Sequence, residues 1–367
     1  MSVGVLIGAL LLGCGSRTSL DSGEPPPTPE FPTEPPGVPG VPAGGAPPVA
    51  PPPIAGSPAE PPMKPPPCES KVLTFDELRP SVTLLVDQSG SMQSGYPSRG
   101  SDQTRWSLIR HALFDETTGV VKELDRSMHF GLTLYTSHNG FSGGVCPILN
   151  QVRAATGNYE AIRKLYDSMS PDDDTPTGAA LAQVVRQIRA EARVGPPQVL
   201  LLVTDGDPDT CDVPDPQTDG AQLEAVAAAR AARAAGIHLY VVGVSADISG
   251  DKLQQLANAA QDRRLDAKWG VDPDAAQPFQ ASGDVTAVTA QLRDILTRIP
   301  LCEIALGRDV EFGELENASV LLDGVPLELG ATDGFELSDP RHLRVTGKAC
   351  ETLRATGREL HVRISCD

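Results

Sequence analysis

Three short stretches carry oxygen-bearing side chains at spacings that suit a hard cation. Asp87-Gln88-Ser89-Gly90-Ser91 sets a carboxylate and two hydroxyls on alternate residues. Asp172-Asp173-Asp174-Thr175-Pro176-Thr177-Gly178 adds two threonines behind an acidic run, and Thr204-Asp205-Gly206 adds another carboxylate. Residues two apart in an extended loop project the same way, so Ser89 and Ser91 can ligate together. Carboxylate and hydroxyl oxygens select Mg²⁺, Mn²⁺ or Ca²⁺ rather than Zn²⁺. Mg²⁺ sheds its waters reluctantly, so an incomplete protein cage is expected. Any one of these loops alone reads as a helix cap, because Ser, Thr and Asp are the usual N-cap residues. Three together point to a metal.

Such loops serve one ion only if the chain between them brings them together. Val82–Val86, Val199–Val203 and Ile237–Val242 are near-continuous aliphatic runs, the mark of strands covered on both faces in a parallel sheet. Helical patterns lie between and after them. They are Trp106–Leu113, a stripe of Leu181, Val184, Val185 and Ile188, an Ala/Arg stretch Leu223–Ala235 closed by Gly236, Leu253–Ala260 and Val285–Ile299. A further strand at His129–Thr136 is expected beside the first. Alternation of strand and helix predicts an α/β fold: a doubly wound, mainly parallel sheet with helices on both faces. In such folds ligands bind at the carboxyl ends of the strands, where the first and last of the three loops begin.

Asp87-x-Ser89-x-Ser91, the Thr175-Pro176-Thr177-Gly178 loop and Thr204-Asp205-Gly206 together resemble the metal-ion-dependent adhesion site of a von Willebrand factor type A domain. The likeness spans about residues 71–300. It implies a Rossmann-like fold and a metal set of Asp87, Ser89, Ser91, Thr175 and Asp205. It also implies that Asp87 and Asp205 act mainly through bound waters, and that Thr175, the first of the pair, is the ligating threonine. A cation so held is short of direct negative charge and seeks a carboxylate from a partner. The implied function is metal-dependent protein binding without catalysis, the partner presenting Asp or Glu. An enzyme, such as a metal-assisted hydrolase or its subunit, and a structural envelope protein remain the alternatives. The sequence shows no phosphate loop, and Ser89 stands where phosphoaspartyl chemistry would want a second Asp. The acidic stretch Asp205–Asp215 lacks the EF-hand order and reads, beyond Asp205, as a solvated loop, as does Asp172–Asp174. The six histidines show no metal-binding motif, and His238, within a strand, reads as a satisfied core or edge residue.

The ends of the chain differ in texture. Val3–Gly13 is an apolar run of 11 residues ending in Leu11-Leu12-Gly13-Cys14. This resembles a bacterial lipobox and implies a signal peptide over 1–13, with Cys14 lipidated. Several acyl chains on one cysteine anchor firmly, at about 0.8 kcal/mol per buried CH₂. Of the 35 prolines, 20 lie between Glu24 and Pro67, so 14–67 is expected to be a disordered, lipid-anchored tether. Residues 68–300 form the α/β domain in this division, and 301–367 a small β-rich unit. That unit is marked by Asp323-Gly324 between aliphatic residues and by alternation through Leu360, Val362 and Ile364. The cysteine placement, tether and C-terminal extension resemble secreted bacterial proteins of this family, myxobacterial ones in particular.

Setting Cys14 aside leaves six cysteines: Cys68, Cys146, Cys211, Cys302, Cys350 and Cys366. An even remainder in an exported chain implies disulfides. The expected pairs are Cys68–Cys302, joining the ends of the domain, Cys146–Cys211, joining two loops that follow strands, and Cys350–Cys366 within the tail. A swap between the first and third pairs is the leading alternative. The net charge of −18 argues against a nucleic-acid partner. Membrane contact is expected through the lipid alone, with the cell envelope, outer membrane foremost, as the location.

Overall fold

The computed structural model describes residues 70–364 apart from 97–101, 139–143, 191–194, 213–218, 246–247, 281–283, 300 and 355–357. The signal segment, the tether, Cys14, Cys68 and Cys366 lie outside the described residues. In chain order the strands are β1 (Ser70–Thr74), β2 (Ser81–Asp87), β3 (His129–Thr136), β4 (Ile148–Ala155), β5 (Gln198–Thr204), β6 (Ile237–Gly243) and β7 (Phe279–Gln280). They continue as β8 (Glu303–Ala305), β9 (Ser319–Leu322), β10 (Val325–Pro326), β11 (Phe335–Asp339), β12 (His342–Val345) and β13 (Glu359–Arg363).

Six strands form the central sheet in the order β4-β3-β2-β5-β6-β7. Every pairing in it is parallel except β3 with β4, an antiparallel edge that the sequence pattern did not foretell. The three aliphatic runs are β2, β5 and β6, and their side chains divide between two cores. Val82, Leu84, Val86, Val199 and Leu201 pack with Trp106, Ile109, Ile162 and Leu292 from helices Arg105–Phe114, Tyr159–Ser168 and Val285–Thr297. Leu85, Leu200 and Leu202 pack on the other face with Leu181, Ala225 and Leu253 from helices Thr177–Ala190, Asp219–Ala234 and Gly250–Ala260. Each aliphatic side chain so buried stabilises the fold by roughly 1.5–3 kcal/mol. Together these contacts hold the ends of β2 and β5 at fixed height, which is what the loops above them require.

The C-terminal residues add a four-stranded antiparallel sheet, β1-β13-β9-β10, and a three-stranded one, β11-β12-β8. Strand β1 precedes every strand of the central sheet in the chain, yet it pairs with β13, Ser70 opposite Arg363. The Asp323-Gly324 turn has φ of 50° and 81°, the paired left-handed conformation of a type I′ hairpin. Leu360, Val362 and Ile364 are buried as the alternation predicted. Cys146–Cys211 forms as expected, with Cα atoms 5.5 Å apart. The other observed bridge is Cys302–Cys350, not Cys68–Cys302 or Cys350–Cys366. Its physical cause is the neighbouring sheet. Cys302 immediately precedes β8, whose partner β12 leads into the helix Gly347–Leu353 that carries Cys350. Val345 N–H also donates to Cys302 C=O at 2.9 Å. Among the described residues no helix is long and apolar enough to cross a membrane.

Candidate metal centre

The site stands at the carboxyl end of the central sheet. Asp87 closes β2, and Thr204 and Asp205 close and follow β5, its neighbour in the sheet. Past Asp87 the chain enters a tight turn in which Ser89 N–H donates to Asp87 Oδ1 at 2.8 Å. Ser89 Oγ and Ser91 Oγ are hydrogen-bonded at 2.9 Å, so the alternate hydroxyls do project together. Ser91 Oγ then donates to Asp205 Oδ1 at 2.6 Å, across 114 residues of sequence. Four of the five candidate ligands therefore form one continuous patch of oxygens. Asp87, Ser89 and Asp205 in it are at most 1% exposed, and Ser91 lies at the surface.

Thr175 arrives on the third loop, which is tied to the first through the backbone. Asp172 N–H donates to Gln88 C=O at 2.8 Å and Gly90 N–H to Asp173 C=O at 2.9 Å. Thr175 itself is buried and held to the Asp205 loop: Asp209 N–H donates to its carbonyl, and its own N–H donates to Asp209 Oδ2 at 3.3 Å. Thr177 points elsewhere, its hydroxyl 3.0 Å from Tyr135 Oη. Asp212 is exposed as expected, but Asp207 and Asp209 do not stand in solvent. Asp207 accepts from Ser249 N–H and pairs with Lys252 at 2.8 Å, and Asp209 is buried. Both carboxylates brace the loops and leave the ion to the residues above them.

Two partners of the site were not anticipated. Thr204 Oγ1 donates to Asp87 Oδ2 at 2.7 Å. Arg105 Nη1 donates to Asp205 Oδ2 at 2.7 Å, both side chains buried. Arg105 is the first residue of its helix, where the macrodipole disfavours a cation, and that misplacement was its only sequence signal. Burial, with Asp205 beside it, pushes the Asp87 carboxyl up to about 7, against bonds from Ser89 and Thr204 that pull it down. The pocket is therefore short of positive charge even with Arg105 in place. Its donor set is carboxylate and hydroxyl oxygen throughout, which fits a hard divalent cation.

The family model of the von Willebrand factor type A domain matches residues 81–268. The chain belongs to this family. No curated protein matches it significantly. Among solved structures, the manganese-loaded TRAP protein of Plasmodium vivax aligns at 19% identity over 62% of this chain and 76% of that one, with a TM-score of 0.40. The hypothetical protein BatB of Bacteroides thetaiotaomicron aligns at 17% identity over 59% and 98%, with a TM-score of 0.39. The pilus adhesin SpaC of Lactobacillus rhamnosus GG aligns at 15% identity over 80% of this chain and 40% of that one, with a TM-score of 0.43. The family's type A fold is the observed one: a mainly parallel central sheet with helices on both faces.

Proposed function

We propose that this type A domain is a divalent-metal-dependent protein-binding module, tethered to the cell envelope by lipid on Cys14. The observation that carries the reading is the pair of buried carboxylates, Asp87 and Asp205, joined by the hydroxyls of Ser89 and Ser91 at the rim of the sheet. Asp87, Ser89, Ser91 and Asp205, with Thr175 from the neighbouring loop, would hold Mg²⁺, or Mn²⁺ or Ca²⁺ in its place. A bound cation supplies an electrophilic position open to a carboxylate of the partner. The protein's own groups do the rest. Thr204 and Ser89 N–H fix both oxygens of Asp87, and Arg105 fixes one oxygen of Asp205, so the carboxylates keep their aim when the cation arrives. Ser91 is the exposed member, the one that a partner's carboxylate would meet first.

Capture from envelope extracts tests this reading. Wild-type protein should retain an acidic-surfaced partner in Mg²⁺ and release it in EDTA, and Ser89→Ala should retain none in either. Retention that ignores both EDTA and Ser89→Ala refutes metal-dependent binding. Turnover of phosphoester or peptide substrates that Asp205→Ala abolishes would replace it with the hydrolase reading.

A further inference from the structure

At the opposite end of the central sheet, three residues that the sequence keeps far apart meet. His238 is the second residue of β6, Glu303 opens β8 and His342 opens β12. One ligand atom from each lies within 4.8 Å of the others. The imidazole rings stack with centroids 4.6 Å apart. His238 Nε2 is 2.6 Å from Glu303 Oε1. Glu303 is 1% exposed and its second oxygen is taken by Ser338 Oγ at 2.8 Å and Arg344 Nη2 at 3.2 Å.

His342 is the decisive member. It is fully buried, and Nδ1 lies 2.9 Å from both oxygens of Asp339. That carboxylate fixes Nδ1 as the protonated nitrogen and leaves Nε2 as the bare one. Nε2 is buried and has no hydrogen-bond partner. Leaving such a group unsatisfied is costly, unless something not yet bound supplies the missing contact. Asp339 is itself held by Arg341 N–H at 2.8 Å and Arg233 at 3.1 Å, so the imidazole is rigidly aimed. A carboxylate behind a histidine whose other nitrogen is bare is the usual support of a metal-binding imidazole. His342 also lines a surface cleft with Gly236, Ile237, Ala305 and Arg341, which gives an ion a way in.

We propose that His238, Glu303 and His342 form a second metal site, selective for Zn²⁺-class ions, that fastens the C-terminal β unit to the base of the type A domain. Two imidazoles and one carboxylate suit Zn²⁺ or Co²⁺ and not Mg²⁺, so this site and the oxygen-lined one select different ions. Ligands about 2.0–2.1 Å from a tetrahedral ion lie ~3.3 Å apart, so small side-chain shifts close the cluster. The ion replaces the proton that His238 Nε2 shares with Glu303, and that proton leaves to solvent or moves to Nδ1. The fourth position stays open to water.

The test uses full-length protein stripped with EDTA and then held in excess Mg²⁺, so that the oxygen-lined site is silent. Co²⁺ should bind at one equivalent with the visible absorption of a four- or five-coordinate nitrogen–oxygen site, and Zn²⁺ should displace it. His238→Ala, at a partly exposed position, should keep its circular dichroism and lose the band. Asp339→Asn should weaken Co²⁺ binding at least tenfold. No band in the wild type, or a band unchanged in His238→Ala, overturns the proposal.

Discussion

Asp87 is the residue whose chemistry a cation changes most. Its carboxyl sits at about 7 because burial and Asp205 disfavour its charge. In metal-free protein the folded state keeps a proton that the unfolded chain releases near pH 4, so stability falls as pH rises from about 4 to 7. In EDTA, the wild-type Tm should be lower at pH 8 than at pH 5, and Mg²⁺ should recover it at pH 8. Asp87→Asn should flatten that difference, measured by calorimetry on both proteins. A wild-type profile identical to that of Asp87→Asn would show that Asp87 is not strained. Arg105 makes the complementary case. Removing one partner of a buried ion pair costs roughly 3–5 kcal/mol, because the other charge is left uncompensated. Arg105→Met should therefore unfold at lower temperature in EDTA, and Mg²⁺ should stabilise it more than it stabilises the wild type. That Asp87, Ser89, Ser91 and Asp205 gather at one rim was legible from residue type, spacing and the family resemblance. Arg105 was not, because nothing local to a helix start says which distant carboxylate it meets.

At the scale of elements, continuous aliphatic runs gave β2, β5 and β6, apolar alternation gave β13 and the Asp323-Gly324 turn gave the β9–β10 hairpin. His129–Thr136 was expected as β3, but β4 carried no such signal. Strand β4 reads Ile-Leu-Asn-Gln-Val-Arg-Ala-Ala and lies half-buried at an edge, so its polar residues hid it. The Cys302–Cys350 bridge depends on the pairing of β8 with β12, which no sequence spacing records. That bridge closes 48 residues, and Cys302→Ser should cost roughly 2–4 kcal/mol by chemical denaturation, with the β unit loosening first under hydrogen exchange. Gly178 shows how helix packing reaches the metal loop. A Cβ there would stand 2.9 Å from the Ala225 backbone nitrogen in helix Asp219–Ala234. Gly178→Ala should thus push the two helices apart, cost about 1–3 kcal/mol and weaken Mg²⁺ binding through Thr175. Unchanged stability and Mg²⁺ affinity would mean that the contact yields freely.

The whole molecule carries a charge of −18, which opposes the acidic partner proposed for it. Repulsion between exposed charges is largely screened beyond about 8 Å at physiological ionic strength. Partner association should consequently speed up with added salt while dissociation stays set by the metal, as stopped-flow or surface-binding kinetics would show. Sequence order also hid how the two ends of the folded region meet, because β1 and β13 pair across nearly its whole length. The convergence of the three loops could be inferred only through the parallel sheet, and it carries the central claim. Isothermal titration of EDTA-stripped protein with Mg²⁺ tests that claim most directly. Wild type should take up one ion per chain and Asp205→Ala should give no binding heat; equal heats from the two proteins would mean that these loops hold no cation, and the adhesion-type reading would fall with it.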